Sequence, residues 1–345
     1  GRGEGKSGAA GASPGGERMS YKDAQFAELL QAEVVDLERL KSLAWNGVPL
    51  GHRSMVWKLI LGYLPSNASR RPGTLKRKRR EYAESVPQYF DIPDQQRTSQ
   101  EQDLLRQVLV DVPRTAPGVP LFHNERIHRC MERILYIWAI RHPASGYVQG
   151  INGLLTPFFL VFLSGLIGEN AAYCDVGRVD AAVLDEVEAD TYWCITKLLD
   201  AILDHYTEGT PGLTRMCRNL EHLVRRIDRP LAEHFDDEQL STVQFAFRWM
   251  NCLLMRELNV NAIIRMWDTY LSEKDGFEAF HTYVCATLLC HFSEDLRGMK
   301  FQELVLFLQD LPTKEWGEAQ VEPLLSQAFI LSQAFTDAQK HLASS

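Results

Sequence analysis

Residues 127–138 read IHRCMERILYIW, and the spacing of their apolar side chains decides the fold class. Ile127, Met131, Ile134, Leu135 and Trp138 recur at intervals of three and four, which sets them on one face of a helix. The interval repeats in both directions along the chain. Upstream it picks out Phe26, Leu29, Leu30, Val34 and Leu37; downstream it picks out Ile263, Ile264, Trp267, Tyr270 and Leu271, then Val321, Leu324, Leu325, Ala328 and Phe329. The polar/apolar alternation of a half-buried strand is nowhere sustained. Turn chemistry separates the stripes at residues 47–49, 62–65, 113–120, 142–146, 209–212 and 311–312. Asn46-Gly47 and Asp275-Gly276 suit hairpins, but both are flanked by helical stripes rather than strands. The sequence therefore predicts an all-α array of many short helices, with no fixed-period repeat and so no regular solenoid.

Composition narrows the function classes. With 345 residues, 45% of them hydrophobic and 24% charged, the chain can bury a large core in one or two domains. Its 37 basic against 45 acidic residues give a formal charge of -8, which argues against a nucleic-acid ligand held by a basic field. Seven widely spaced cysteines, with no C-x-x-C pair, read as reduced and buried thiols of a cytosolic protein. Among ten histidines there is no H-E-x-x-H, and His123 and His128 are five apart, so no metal site is expected. Asp236-Asp237-Glu238 reads as a solvated helix start. Residues 151–167 are apolar but contain Asn152, Gly153, Thr156, Pro157, Ser164 and Gly165, which predicts a buried core helix and no membrane span. No G-x-S-x-G elbow, kinase glycine loop or dinucleotide fingerprint occurs, so hydrolase, kinase and dehydrogenase readings lack their key residues.

Residues 1–19 are poor in apolar side chains and read as a flexible leader or a cloning remnant. Gly5-Lys6-Ser7 imitates the end of a phosphate-binding loop, but the preceding glycine spacing is one short and no strand leads into it. Residues 164–190 carry seven acidic side chains and only one basic, Arg178, which suggests a solvated excursion between two halves. Arg70, Arg71 and Lys76 to Arg80 form a basic run that reads as a solvated helix face, with weak contact to anionic lipid headgroups as the alternative.

Two segments depart from this stripe-and-turn pattern. In the first, an apolar run from Val108 delivers Asp111 and Arg114 into a loop stiffened by Pro113 and Pro117. Proline fixes φ and cannot continue a helix, so the backbone at Arg114 should be held. Asp111 could hydrogen-bond the loop or hold the guanidinium. In the second, Gly146-Tyr147-Val148-Gln149-Gly150-Ile151-Asn152-Gly153 sets a glutamine beside glycines at the head of the apolar run. An uncharged amide there can orient water without a shifted pKa. Taken alone, an arginine in such a loop is more often a surface or salt-bridge residue than a catalyst.

Several spaced motifs together resemble a known family. Arg53-x-x-x-Trp57-x-x-x-Leu61-Gly62-Tyr63-Leu64-Pro65, Asp111-x-x-Arg114-Thr115-x-Pro117, Tyr147-Val148-Gln149-Gly150-Ile151-Asn152 and Trp267-Asp268 occur in the order seen in the TBC-domain Rab GTPase-activating proteins. The resemblance covers about residues 36–335 and looks closest to the yeast-type Golgi Rab activators. It implies a V-shaped, wholly helical domain of two subdomains, about 36–190 and 191–335, after a helical extension at 20–35 and before a tail at 336–345. It further implies that Arg114 serves as an arginine finger and Gln149 as a glutamine finger, with Asp111, Thr115, Tyr147, Gly150, Asn152, Arg53 and Trp57 in support. The partner would be a GTP-bound Rab that carries its own GTP and Mg²⁺, so no cofactor belongs to this chain. The setting would be vesicle trafficking, cytoplasmic and peripheral to the Golgi or other endomembranes. A Rab-binding scaffold without catalysis is the alternative. Val108 replaces the family's usual isoleucine, and Gly153 stands where an acidic residue is common, so no role is carried over to Gly153.

Overall fold

The computed structural model describes residues 20–343, with side chains described to residue 335. The expected leader at 1–19, the Gly5-Lys6-Ser7 decoy and the side chains of the expected tail lie outside the described residues. Among those described there are sixteen α-helices, short 3₁₀ and π turns and no strand; one antiparallel bridge joins Val34 to Asn67. In chain order the helices are α1 (Tyr21–Gln31), α2 (Leu37–Ala44), α3 (Leu50–Ile60), α4 (Arg71–Ser85), α5 (Ser99–Asp111), α6 (Glu125–Arg141), α7 (Ile151–Ile167) and α8 (Ala181–Ala201). They continue with α9 (Pro211–Ile227), α10 (Arg229–Asp237), α11 (Val243–Asn251), α12 (Val260–Ser272), α13 (His281–His291), α14 (Ser293–Arg297), α15 (Phe301–Gln309) and α16 (Glu318–Ala343).

Local chemistry explains where the helices begin. Asp36 caps α2 by accepting from the amides of Glu38 and Arg39, Thr98 and Glu101 form a reciprocal capping box on α5, and Asn124 and Asn259 cap α6 and α12. The acidic triplet at 236–238 closes α10 instead of opening a helix. That helix starts at the Asp228 cap with Pro230 in its first turn, and Asp236 and Glu238 pair with Arg225 and Lys300. The first apolar stripe also breaks earlier than its spacing suggests. Ala32 leaves the helix with ψ 143°, and Val34 pairs with Asn67 as an exposed bridge residue.

The apolar segment 151–167 is the buried helix α7, which packs against α3, α6, α8 and α12; no described helix is long and apolar enough to cross a membrane. A second group gathers around α13, which packs on α9, α11 and α16. α12 links the two groups, packing on α7 and on α16, and Asp268 fastens it to α3. Its buried carboxylate accepts from the Arg53 guanidinium (3.0–3.1 Å), Trp57 Nε1 (2.7 Å) and the Val48 amide (2.8 Å). All seven cysteines are free, five of them buried.

Residues 164–190 are a solvated excursion only in part: 168–180, between α7 and α8, are mostly exposed and carry Glu169, Asp175 and Asp180, whereas the α8 end is packed. α7 continues through Ile167, and α8 begins at Ala181 and packs against α4, α6 and α7, passing residues 190–191 without a break. Glu188 and Asp190 are buried because cations from distant helices neutralise them: Arg133 and the Tyr82 hydroxyl meet Glu188, while Lys58, Arg79 and the Tyr63 hydroxyl meet Asp190. The basic run is correspondingly not one solvated face. Arg71 is buried and donates to the carbonyls of Leu30, Pro65 and Ser66; Arg79 holds Asp190 and Glu186; Lys78 lies over the Trp193 ring. Arg70, Lys76, Arg77 and Arg80 remain exposed.

Two buried histidines give the fold an acid sensitivity. His281 lies between the Tyr270 hydroxyl and the Trp249 carbonyl, and both ring nitrogens of His205 lack a partner among the described residues; burial lowers the pKa of each to about 4. An unfolded chain protonates them near 6.5, so unfolding takes up protons between pH 6.5 and 4 and stability falls as pH falls through that window. The loss is up to about 3 kcal/mol per histidine. Urea midpoints measured from pH 7.5 to 4.5 should decline steadily; a flat profile over that range contradicts the assignment.

Candidate functional site

The Arg114 loop is held from both ends. Val108 and Val112 are buried, and the last turn of α5 tightens into a 3₁₀ turn, Val112–Arg114, closed by the Thr115 amide on the Val112 carbonyl (3.0 Å). The Thr115 hydroxyl donates back to the Asp111 carbonyl (3.1 Å). Ala116 then adopts φ +45°, a conformation costly for a residue with a Cβ and unusual before proline. His123 Nε2 sits 2.8 Å from the Pro117 carbonyl and secures the far side. Arg114 itself is exposed, and among the described residues its guanidinium has no hydrogen bond or ion pair.

The second loop leaves α6 with Gly146 at φ +61°, buries Tyr147, exposes Gln149 and enters α7 through Gly150 at φ +116°. Glycine is required at 150 on two counts. Its φ disfavours any side chain, and a Cβ there would lie 2.9 Å from Asn251 Nδ2 and 3.2 Å from Cys252 Sγ. The Gln149 amide side chain has no hydrogen bond to a described residue, whereas its backbone carbonyl accepts from Asn251 Nδ2 (3.2 Å).

One network ties the two loops together. The Tyr147 hydroxyl donates to Asp111 Oδ2 (2.8 Å) and lies 3.3 Å from Asn152 Oδ1. Asn152 Nδ2 donates to the Thr115 hydroxyl (2.8 Å) and lies 3.5 Å from the Asp111 carbonyl, while Asn152 Oδ1 accepts from the Gly150 amide (3.1 Å). Burial and the neighbouring Asp111 carboxylate push the Tyr147 phenol well above its ordinary pKa, so it stays protonated and remains a donor. The result is two fixed backbones joined side to side, each presenting an unpaired polar tip: a cation from one loop and a neutral amide from the other.

Asp111, Thr115, Tyr147, Gly150 and Asn152 therefore converge on one site. Of the two readings of Asp111, the structure shows the loop-bonding one, through Tyr147. Arg53 and Trp57 lie apart from this network, at Asp268. Gly153 has open space around it, so the missing side chain leaves no gap in the packing. Asn251 went unassigned in the sequence because it stands 102 residues from its partner and no local pattern connects them. Asp204, His205 and Glu278 have ligating atoms within 4.8 Å of one another, but Arg215 already bridges both carboxylates at 2.6–2.8 Å.

Comparison with known proteins finds relatives of this chain. A family model described as the Rab-GTPase-TBC domain matches residues 51–297. The GTPase-activating protein gyp1 of Schizosaccharomyces pombe is 49% identical over 320 residues, which cover 92% of this chain and 62% of that protein. TBC1 domain family member 22A of Homo sapiens is 48% identical over 327 residues, covering 94% of this chain and 62% of that protein. The chain thus spans about three fifths of the length of these relatives. A crystal structure of the Ypt/Rab-GAP domain of Gyp1p superimposes with a TM-score of 0.86 at 45% identity, covering 91% of this chain and 98% of that one.

Proposed function

The chain belongs to the Rab-GTPase-TBC domain family, and from that premise we propose that it accelerates GTP hydrolysis by a Rab-family GTPase, inserting Arg114 and Gln149 into the partner's nucleotide site. The observation that carries the reading is the pair of exposed, unpartnered tips on loops cross-tied by the Asp111–Tyr147–Asn152–Thr115 network. Relatives named as GTPase-activating proteins support the same activity. Hydrolysis builds negative charge on phosphate oxygens, and a guanidinium that is already positioned donates to them without recruiting water that must reorganise. The Gln149 amide orients the attacking water, a task many GTPases assign to a glutamine of their own. The Rab carries GTP and Mg²⁺, and this chain contributes only side chains. The protein works in the cytoplasm, in vesicle trafficking at the Golgi or other endomembranes, with Arg70, Lys76, Arg77 and Arg80 available for weak contact with anionic headgroups.

A phosphate-release screen against a Rab panel, run under single-turnover conditions, tests the activity. Gln149→Ala should slow stimulated hydrolysis by on the order of 10²-fold while the far-UV spectrum stays unchanged. Tight binding of a GTP-loaded Rab with phosphate release at the intrinsic rate across the whole panel would instead establish a non-catalytic scaffold.

A further inference from the structure

The Gln149–Gly150 peptide unit is gripped on both sides by asparagine side chains. Its N–H donates to Asn152 Oδ1 (3.1 Å) and its C=O accepts from Asn251 Nδ2 (3.2 Å). That grip has work to do: the Ile151 amide closes a turn on the Val148 carbonyl (3.2 Å) around this peptide, but such a turn does not by itself fix which way its central peptide faces. Gly150 is at φ +116° and carries no Cβ to restrict rotation, so the plane between residues 149 and 150 could turn with little steric resistance. Losing either bond would loosen the backbone from which the Gln149 side chain projects, and with it the placement of the amide. Asn152 reaches the peptide from the first turn of α7, where Tyr147 and Thr115 hold it. Asn251 belongs to α11, on the other side of the contact.

Asn251 is itself held firmly. Its backbone carbonyl accepts from the buried Tyr206 hydroxyl (3.1 Å), and the next amide, of Cys252, closes α11 on the Arg248 carbonyl (2.9 Å). Immediately after it, Leu253 and Leu254 adopt φ +48° and +58°, and both are fully buried. Two successive leucines in the left-handed region are strained, and such strain persists only where the surroundings over-determine the backbone. The orientation of the Asn251 amide follows from the contact, since a flipped group would set Oδ1 against the Gln149 carbonyl oxygen. Its Oδ1 is buried without a protein donor. A costly backbone is thus maintained at the point where α11 presents one donor to the glutamine loop.

We propose that Asn251 is a positioning residue for Gln149, through which the strained end of α11 sets the direction of the amide that orients water. The proposal rests on the reading of Gln149 given above and adds a residue from outside both loops. Misplacing a reacting group by about 1 Å costs on the order of 10²-fold. Asn251→Ala, and the near-isosteric Asn251→Asp, which cannot donate, should therefore lower kcat for Rab-stimulated hydrolysis by roughly 10- to 100-fold with KM for the GTP-loaded Rab unchanged. In a Gln149→Ala background the same changes should add nothing, since the group they position is gone; in an Arg114→Ala background their effect should persist. Hydrogen exchange gives a readout independent of activity. The amides of residues 149–152 should exchange about ten-fold faster in either variant, as expected for a lost restraint worth a tenfold opening equilibrium, while those of α13 keep their protection. Unchanged exchange at 149–152, or an undiminished loss of rate in the Gln149→Ala background, overturns the proposal. Should the unaltered protein stimulate no Rab, the proposed function fails and the exchange measurement alone decides whether Asn251 holds the loop.

Discussion

Replacing Arg114 by alanine is expected to reduce Rab-stimulated GTP hydrolysis by on the order of 10³ to 10⁵, leaving the fold and its stability nearly intact. The two halves of that expectation come from the same observation. Arg114 is exposed and makes no hydrogen bond or ion pair with a described residue, so its removal breaks no contact that the free protein relies on. Surface changes of this kind usually alter stability by no more than about 0.5 kcal/mol. The backbone beneath it is fixed by the Val112–Arg114 turn, by Thr115 and by the strained Ala116, and alanine leaves all of these in place. What is lost is a guanidinium held where charge develops on the phosphates, a contribution of roughly 4 to 7 kcal/mol to the transition state. Arg114→Lys should lose at least about 10² of the same rate, because an ammonium on a flexible stem lacks the planar fork of donors. Single-turnover phosphate release at the unaltered rate in Arg114→Ala would remove the basis for the proposed activity.

The unpaired state of Arg114 could not be read from the sequence; its position in a stiffened loop could. Pro113 and Pro117 announce the loop, and Gly146, Gly150 and the amide between them announce its neighbour, because these residues act on their own backbone or on the next one or two. Helix identity was legible for the same reason, as a period of three to four residues is local. Readings failed where the deciding partner is remote. Of the seven acids between residues 164 and 190, Glu169, Asp175, Asp180 and Asp185 are exposed as their count suggests, yet Asp190 is buried by Lys58 and Glu188 by Arg133, 132 and 55 residues away. The basic run misled in the mirror image, since Arg79 is one of the cations that permit that burial. The acidic triplet at 236–238 was given to the wrong helix end because the true start depends on Asp228 and Pro230. Charge counted along a chain predicts exposure only when the opposite charges are absent from the folded neighbourhood, and that neighbourhood is set by tertiary contacts.

Asp190 turns this point into the largest stability change expected in the molecule. Its carboxylate is fully buried and is met by Lys58 Nζ at 2.6 Å, the Tyr63 hydroxyl at 2.7 Å, and Arg79 Nε and Nη2 at 3.0 and 2.8 Å. Removing it in Asp190→Ala takes from Lys58, itself buried, the carboxylate its ammonium donates to and leaves the face of Phe162 beside the charge. Breaking one partner out of such a cluster costs about 3 to 5 kcal/mol, which lowers Tm by roughly 4 to 7 °C in a chain of this size. The pH dependence gives a second signature. Burial works to raise the pKa of Asp190, but Arg79 and Lys58 outweigh it and hold the carboxyl below its ordinary value. A depressed pKa contributes stability that is present above the unfolded value, near 3.8, and disappears as pH falls through the folded one. The difference in urea midpoint between the unaltered chain and Asp190→Ala should therefore be widest near neutrality and close progressively below pH 4. A difference under about 1 kcal/mol at pH 7, or one that does not narrow in acid, would mean that the cluster forms without contributing to stability. In that case Asp190 would be buried for reasons of packing alone, with α8 held against α7 by its apolar face.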